Sequence, residues 1–505
     1  MGLTTSPRVF TKVMKPVFAS LRAKGHISSA YIDDSCLQGS TFTECQTNVS
    51  DTVELMDSLG LTVHPTKSVL IPCKQITFLG FILCSETMSI RLTSDRQEEL
   101  ISLSYSVLSK KSVTIRLFAK LKGKMVAAEP GVEAAPLFYK PLEKIKDKCI
   151  KIAKGDFDNY MKIPSSVRSI ISWWISHLPT SKKQVSHGQP EYIIYSDASK
   201  KGYGAINKTT NTSTNGQWSL AEQNLHINIL ELKACQLALT SLCKDTNQCH
   251  IRIFMDNSTS CAYINKFGGK TDELNNLARD IWLWCIDKNI FVSAAHVAGS
   301  ENNEADTLSR KFNDDLEWTL KENIFRKIRD QYPNMSVDLF ASRLNHKLEK
   351  YVSYSPEANS YATDAFTLHW VHELYYIFSP FSLIPKILQK LEEEQSEAVM
   401  VCPIWPTQVW WASLTKLICG QCFLLPNPQN ILYLPHKPDR IHPLKKMRLG
   451  VFRLSGNRSK AREYQQKQST SYYSHGVIPP KHSTTHILKN GLHFVGSASI
   501  PFDHL

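Results

Sequence analysis

The stretch that decides the fold is Tyr192–Ala205, YIIYSDASKKGYGA. Its first four residues predict a buried strand that runs on to Asp197, and Lys200-Lys201-Gly202 predicts a turn. Tyr203–Ile206 then predicts a second strand that returns beside the first. An aspartate at the end of a core strand is costly to bury alone, so Asp197 needs a metal ion, another cation or hydrogen-bond donors. The hairpin therefore predicts both the start of a sheet and a functional position.

Three further carboxylates stand beside or at the ends of predicted elements downstream. Leu220–Leu242 has apolar residues at helical spacing, and Glu231 lies beside that stripe. The predicted strand Ile251–Met255 is followed by Asp256, and Asp306 is expected to open the last helix of this segment. Taken singly, each acid is explained as well by a strand-end cap, an exposed helix glutamate or a helix N-cap. Four acids so placed in one α/β segment instead predict a shared site.

A cluster of carboxylates suits the hydrolysis of a phosphodiester. That reaction commonly uses two metal ions about 3.5–4 Å apart, one that activates water and one that stabilises the leaving oxygen. Mg²⁺ prefers oxygen ligands and retains some waters, so a few carboxylates and a phosphate suffice to hold it. The metal ions also allow neighbouring carboxylates to remain ionised together.

The segments SDAS, ILELKA, FMDN and HVAGSENNEADTLSR, within residues 191–311, resemble in order and spacing the RNase H domain of retroelement polyproteins. The resemblance implies that four catalytic carboxylates hold two Mg²⁺ (or Mn²⁺) ions, namely Asp197, Glu231, Asp256 and Asp306. It also implies that His296 assists turnover or product release, although a plain surface-loop histidine remains an alternative. The implied substrate is the RNA strand of an RNA–DNA hybrid, recognised through its minor groove and 2′-hydroxyls without sequence readout.

Residues 1–90 predict a helix, a hairpin, a second helix and then strands. The hairpin contains Tyr31-Ile32-Asp33-Asp34, with two acids at its turn. Together with Gly2–Phe10, Lys67 and Phe78–Phe81, it resembles part of the reverse transcriptase palm. The resemblance implies that Asp33 and Asp34 are polymerase acids, that Lys67 stands at the family's lysine position, and that the last segment is the primer grip.

One polymerase acid is missing from this pattern. In the family the third carboxylate lies on a strand well upstream of the hairpin, and none of the 30 residues before Tyr31 is Asp or Glu. We therefore interpret the chain as N-terminally truncated and expect that, as given, it does not polymerise DNA by itself.

Residues 91–180 are predicted to be helical and resemble the thumb and connection region of the same family. Three lysines, Lys120, Lys122 and Lys124, could follow a nucleic-acid backbone, and a solvated helix face explains them equally well. The polar segment Pro179–Pro190 predicts a linker to the RNase H-like part.

Residues 335–426 contain VDLFAS, YATDAF, FSPFSLI and PIWPTQ. This series resembles the segment that follows RNase H in DIRS-like retrotransposons, which mobilise through a tyrosine recombinase, and that segment resembles adenine-N6 methyltransferases. Ser379-Pro380-Phe381 stands where the methyltransferases have (Asp/Asn)-Pro-Pro-aromatic. We expect a methyltransferase-like α/β fold, for which a packing or interaction role is at least as well supported as catalysis. Residues 453–505 are polar and basic and are expected to be disordered.

The bulk composition narrows the class of protein. With 59 Lys+Arg against 46 Asp+Glu, the net charge is +13 and the pI is about 9.0, which suits a nucleic-acid partner. The sequence has no apolar run long enough for a signal peptide or a membrane span. Its thirteen scattered cysteines fit reduced thiols, and Cys419 and Cys422 lack a second pair of zinc ligands. We expect an intracellular protein of the cytoplasm or nucleus that is not secreted.

These observations predict a multidomain α+β and α/β protein with four parts: a partial reverse transcriptase palm, a thumb and connection region, an RNase H-like α/β domain and a methyltransferase-like α/β module. The preferred function is that of a retrotransposon-derived enzyme that hydrolyses the RNA strand of RNA–DNA hybrids. The alternative is a catalytically decayed or domesticated nucleic-acid-binding protein. A stand-alone host RNase H is disfavoured by the attached palm.

Overall fold

The structure, a computed structural model, describes residues 4–312, 317–371, 373–444, 446–468, 492–495 and 498–505. The chain forms two compact units, Met1–Gly188 and Gln189–Leu505, so the division falls inside the predicted linker. Among the described residues, no helix is both long enough and apolar enough to cross a membrane.

The first unit contains six helices and eight strands within its described residues. In chain order they are α1 Ser6–Ala23, β1 Ile27–Tyr31, β2 Asp34–Gln38, α2 Phe42–Ser58, β3 Gln75–Phe78, β4 Phe81–Cys84, β5 Ser89–Leu92, α3 Ser94–Leu108, β6 Ser112–Thr114, α4 Ile115–Ala127, α5 Ala135–Ile152, β7 Tyr160–Lys162, α6 Ser165–His177 and β8 Lys183–Gln184. The predicted order of helix, hairpin, helix and strands is confirmed, and so is the helical character of residues 91–180. Strand β8 pairs with β5, so the predicted linker is partly structured.

Two tight turns shape this unit. Strands β1 and β2 pair antiparallel with Tyr31 opposite Asp34, which leaves Ile32 and Asp33 as a two-residue turn. Strands β3 and β4 are joined in the same way by Leu79 and Gly80, whose φ angles are 50° and 75°. Positive φ at both central positions is typical of the hairpin turn that matches the natural twist of paired strands.

The first part of the second unit, residues 191–310, is called the nuclease-like lobe below. Its elements are β9 Tyr192–Ala198, β10 Gly202–Asn207, β11 Thr212–Gln217, α7 Leu220–Gln223, α8 Ile227–Leu242, β12 His250–Met255, α9 Ser258–Asn265, α10 Asp272–Asp287, β13 Phe291–His296 and α11 Asn303–Arg310. The strands form one sheet in the order β11-β10-β9-β12-β13. Strand β9 is central, antiparallel to β10 and parallel to β12, and β12 is parallel to β13.

Two predictions for this lobe need correction. The stretch Leu220–Leu242 is not one helix, because the helical conformation is interrupted between α7 and α8. The ring of His226 accepts a hydrogen bond from the backbone N–H of Asn228 and so caps the start of α8. Asp306 does not open the last helix, since α11 begins three residues earlier and places Asp306 in its first turn.

Residues 317–505, called the module below, complete the second unit. Their elements are β14 Thr319–Leu320, α12 Glu322–Gln331, β15 Met335–Asp338, β16 Lys350–Ser353, β17 Ala362–Thr363, β18 Leu374–Ile377, α13 Ile384–Glu393, β19 Glu397–Pro403, α14 Trp411–Lys416, β20 Cys422–Leu424, α15 Pro428–Ile431, β21 Leu432–Tyr433, β22 Leu449–Ser455, α16 Arg458–Gln466, β23 Leu492–Val495 and β24 Ala498–His504. Nine strands form one sheet in the order β17-β16-β15-β18-β19-β22-β20-β24-β23. Strands β15 to β19 are mutually parallel where they pair, and β22 is antiparallel to both neighbours.

The expectation of a disordered tail from residue 453 is wrong for the described part of that tail. Strand β22, nearly all of it buried, lies between β19 and β20 in the sheet, and α16 follows it. Only Ala461 of α16 is buried, which explains why its polar sequence looked unstructured. The α/β segment therefore also extends past the predicted boundary at residue 426. The predicted disorder at 469–491 falls outside the described residues.

The predicted fold class, multidomain with α+β and α/β parts, is confirmed by these sheets and helices.

Candidate metal centre

Three of the predicted carboxylates meet at one edge of the nuclease-like sheet. Strands β9 and β12 are parallel, so their carboxyl ends lie at the same edge, where β9 contains Asp197 and Asp256 follows β12. Glu231, in the second turn of α8, joins them. One ligand oxygen from each of the three side chains lies within 4.8 Å of the other two. Asp197 and Glu231 are only 3% and 4% exposed, whereas Asp256 is more accessible.

The hydrogen bonds of these acids leave capacity for a cation. Asp197 Oδ2 accepts the hydroxyl of Ser309 at 2.8 Å. Glu231 accepts the backbone N–H of Ala198, but its Oε2 is buried without any hydrogen-bond partner. A buried carboxylate oxygen normally has a hydrogen-bond partner, so the unpartnered Oε2 of Glu231 is unusual. Clustered oxygen donors with an unsatisfied member fit a hard divalent ion such as Mg²⁺.

The pKa values of the clustered carboxylates are raised because the groups are buried close to one another. Burial, reinforced by the nearby charges of Asp197 and Asp256, raises the pKa of Glu231 to about 9. Burial likewise raises the pKa of Asp197 to about 6, opposed by the Ser309 hydrogen bond and reinforced by Asp256 and Asp306. Like charges held in a low-dielectric site disfavour each other's ionised form.

The fourth predicted acid does not join the group of three. Asp306 instead forms an ion pair with Arg310, one helical turn later, with 2.6 Å between Arg310 Nε and Asp306 Oδ1. Asp306 is still near enough to raise the pKa of Asp197. The hydrogen bond from Arg310 to Asp306 raises the pKa of the guanidinium, and the charges of Asp197 and Asp256 add to that effect.

His296 ends β13 and is exposed beside the cluster. Its Nε2 lies 3.1 Å from the backbone carbonyl oxygen of Asp256. The loop after it passes close to the same acid, because a β-carbon at Gly299 would stand 3.7 Å from Asp256 Oδ2. The histidine that sequence analysis singled out therefore lies at the rim of the site.

A glycine permits helix α11 to reach the cluster. Gly204 of β10 pairs with Asp197, and a β-carbon there would stand 2.5 Å from Ala305 O, Leu308 Cβ and Ser309 N. Only glycine allows α11 to cross β10 so closely. The close crossing brings the hydroxyl of Ser309 onto Asp197.

The polymerase-like residues form no comparable centre. Asp33 lies in an exposed hairpin turn, Asp34 is the exposed first residue of β2, and Lys67 lies in an exposed turn after α2. Among the described residues, the group around Asp197 is the one set of three or more potential metal ligands. Neither the hairpin nor the Cys419 and Cys422 pair belongs to such a set.

The module has a cavity at the carboxyl ends of β15 to β18, with a volume of about 540 Å³. Its lining includes Phe340, Arg343, Asp364 and Lys386 from the module, and Tyr203 from the nuclease-like lobe. Ser379, which stands at the methyltransferase-like motif, is 5% exposed and its hydroxyl has no partner. A methyltransferase-like character of the module stays a prediction.

Two residues of this site were missed by sequence analysis. Ser309 and Arg310 follow Asp306 by three and four positions, and residues at this spacing lie on one face of a helix. This spacing was the sequence feature that could have identified them, because it places the hydroxyl of Ser309 and the guanidinium of Arg310 on the same helix face as Asp306.

The fold and the carboxylate cluster define a multidomain α+β protein with a candidate metal-binding site in its second unit. Residues 1–83 match the family model described as "Reverse transcriptase (RNA-dependent DNA polymerase)". The chain is also similar to the "Enzymatic polyprotein" of Cauliflower mosaic virus (strain D/H), with 23% identity over 62% of this chain and 45% of the relative. The chain thus spans less than half the length of that curated relative.

Two solved structures are similar to parts of the chain. A foamy viral protease-reverse transcriptase in complex with RNA/DNA hybrid is 15% identical, covers 58% of this chain and 38% of its own, and gives a TM-score of 0.32. RNase H1 from the archaeon Halobacterium salinarum NRC-1 is 15% identical, covers 23% of this chain and 92% of its own, and gives a TM-score of 0.20.

Proposed function

We propose that this protein is a retroelement-derived enzyme that hydrolyses the RNA strand of RNA–DNA hybrids at Asp197, Glu231 and Asp256. The observation that carries the proposal is the approach of these three carboxylates to within 4.8 Å, with Glu231 Oε2 buried and unpartnered. The net charge of +13 supports a polyanionic substrate. The sequence resemblance of residues 191–311 to retroelement RNase H domains supplies the reaction type.

The chain's own residues have distinct proposed roles. Asp197, Glu231 and Asp256 would hold two Mg²⁺ (or Mn²⁺) ions, with Asp306 as the further ligand once its pair with Arg310 opens. Such ions, when bound, activate water and stabilise the leaving oxygen of a phosphodiester. Ser309 orients the Asp197 carboxylate through its hydroxyl. His296, exposed at the rim, is proposed to assist release of the cleaved strand.

The polymerase-like segment is proposed to act only as part of a longer parent protein. Asp33 and Asp34 are exposed, and among the described residues no third acid joins them. We infer that hydrolysis, and not synthesis, is the activity of this chain. We also infer that its source is a DIRS-like retrotransposon, which the motifs in residues 335–426 resemble. An RNA–DNA hybrid is the proposed partner.

Asp256→Asn is expected to reduce cleavage of a labelled RNA–DNA hybrid by at least about 100-fold in Mg²⁺. Loss of groups that merely support metal ligands already costs 10–100-fold, so loss of a ligand should cost no less. The measurement is the initial rate of RNA cleavage by the purified chain and its variant. Asp287→Asn, an exposed aspartate of the same lobe, is the matched control and should cleave at the wild-type rate.

Absence of cleavage by the wild-type chain would defeat the enzymatic proposal and favour the nucleic-acid-binding alternative. Equal cleavage rates for the wild type and Asp256→Asn would show that the carboxylate cluster does not carry out the reaction.

A further inference from the structure

One arginine of the module reaches into the nuclease-like lobe. Arg343 lies in the loop after β15, and its guanidinium donates to both carboxylate oxygens of Glu222 at 3.0 Å. It also donates to the backbone carbonyl of Gln217 at 2.8 Å. The side chains of Arg343 and Glu222 are 18% and 11% exposed, so the pair is largely shielded from water. Paired hydrogen bonds of this kind fix both partners in direction as well as distance.

The same guanidinium lies over two buried rings of the nuclease-like lobe. Its central carbon is 5.8 Å from the centroid of Trp218 and 6.0 Å from that of Tyr203. Both rings are no more than 1% exposed. On the module side, the backbone N–H of Arg343 donates to Glu357 at 2.6 Å, which fixes the loop that carries the arginine. Arg343 is therefore held from both sides.

Two connections run from Arg343 to the carboxylate cluster. The first passes through Glu222, which also pairs at 2.5 Å with Lys233, two residues beyond Glu231 on the same helix. Burial alone would raise the pKa of Glu222, but the pairs with Arg343 and Lys233 lower it to about 2. The carboxylate is therefore ionised at neutral pH and attracts both cations.

The second connection is a series of hydrogen bonds. Trp218 Nε1 donates to the carbonyl of Ser199 at 2.9 Å, and the hydroxyl of Ser199 donates to the carbonyl of Ser309 at 2.6 Å. The hydroxyl of Ser309 then donates to Asp197 at 2.8 Å. The last two links tie α11 to Ser199, directly after β9, and to Asp197 within β9, so the series fixes α11 against β9 beneath the cluster.

We propose that Arg343 is a positioning residue through which the module holds the carboxylates of the nuclease-like lobe in place. The proposal rests on the proposed function, since it assigns the module a task in the same site. Arg343 touches none of the acids and acts through Glu222 and Trp218. Lysine is not an equivalent replacement, because its ammonium group is a point charge that lacks the planar two-pronged geometry with which a guanidinium pairs with a carboxylate.

The test compares the full chain with its Arg343→Ala, Arg343→Lys and Arg453→Ala variants. Arg453 is the matched control, because it is a similarly buried arginine that pairs with Glu397 inside the module. The first measurement is backbone hydrogen exchange of residues 303–310 in metal-free protein. We expect exchange at least about 10-fold faster in both Arg343 variants and unchanged in Arg453→Ala. Thermal unfolding of each variant, followed in parallel, identifies any that fail to fold.

The second measurement is hybrid cleavage with Mg²⁺. We expect kcat to fall by about 10–100-fold in both Arg343 variants with KM little changed, as for other groups that orient metal ligands. Wild-type exchange in folded Arg343→Ala and Arg343→Lys would overturn the positioning role. If the wild type does not cleave the hybrid, the proposed function fails, and the exchange comparison still decides the role of Arg343.

Discussion

Glu231→Gln is expected to abolish the stabilisation of the second unit by Mg²⁺ and to reduce hybrid cleavage by at least about 100-fold. Glutamine has nearly the same shape, so the fold should persist, but it replaces the unpartnered Oε2 and the negative charge that suit a metal ion. A ligand present at 100 times its dissociation constant stabilises the folded state by about 2.7 kcal/mol. Mg²⁺ at this excess should therefore raise the free energy of unfolding of the wild type by about this amount.

The measurement for Glu231→Gln is thermal unfolding with and without Mg²⁺, paired with cleavage rates. Glu304→Gln is the matched control, since Glu304 is an exposed acid of α11 that pairs with Lys208 at the surface. The control should keep both the Mg²⁺ response and the activity. A wild-type Mg²⁺ response retained in Glu231→Gln would show that the ion binds elsewhere.

Trp370→Ala is expected to lower the free energy of unfolding of the second unit by about 3–5 kcal/mol, the usual cost of truncating a buried tryptophan. Trp370 is fully buried in the core of the module, and its Nε1 donates to the carbonyl of Ala365 at 2.8 Å. The rings of Phe340, Phe366 and Tyr375 pack around it. Truncation would leave a large cavity and an unpaired buried carbonyl.

Chemical denaturation of the full chain measures this change. Tyr354→Ala, which removes an aromatic ring that is 91% exposed, should change the free energy of unfolding by less than about 0.5 kcal/mol. A loss below about 1 kcal/mol in Trp370→Ala would contradict a packed module.

Much of the nuclease-like sheet was predictable because its central strands are mainly apolar, and two of them, β9 and β12, lead into an aspartate. Strands β9, β10 and β12 were predicted to within a residue at each end, since burial on both faces selects continuous apolar sequence. Strand β11, Thr212–Gln217, was missed. It lies at the sheet edge and is mainly polar, so neither an apolar run nor a clear alternation marks it.

Other features depended on contacts between distant residues. The position of β22 between β19 and β20 joins segments far apart in the chain, and no local pattern encodes that order. The pairing of Asp306 with Arg310 could be inferred from their helical spacing in the sequence. The separation of Asp306 from the three other acids could not, because it depends on how α11 packs. The series from Trp218 through Ser199 to Ser309 exists only once the helix and strands have packed.

The measurement that tests the central claim most directly is cleavage of an RNA–DNA hybrid with both strands labelled, beside RNA and DNA duplexes of the same sequence. With Mg²⁺, the chain is expected to cut only the RNA strand of the hybrid, and chelation of the metal should stop the reaction. Cutting of the DNA strand, or RNA cleavage that persists without a divalent metal ion, would contradict a metal-dependent hybrid nuclease at Asp197, Glu231 and Asp256.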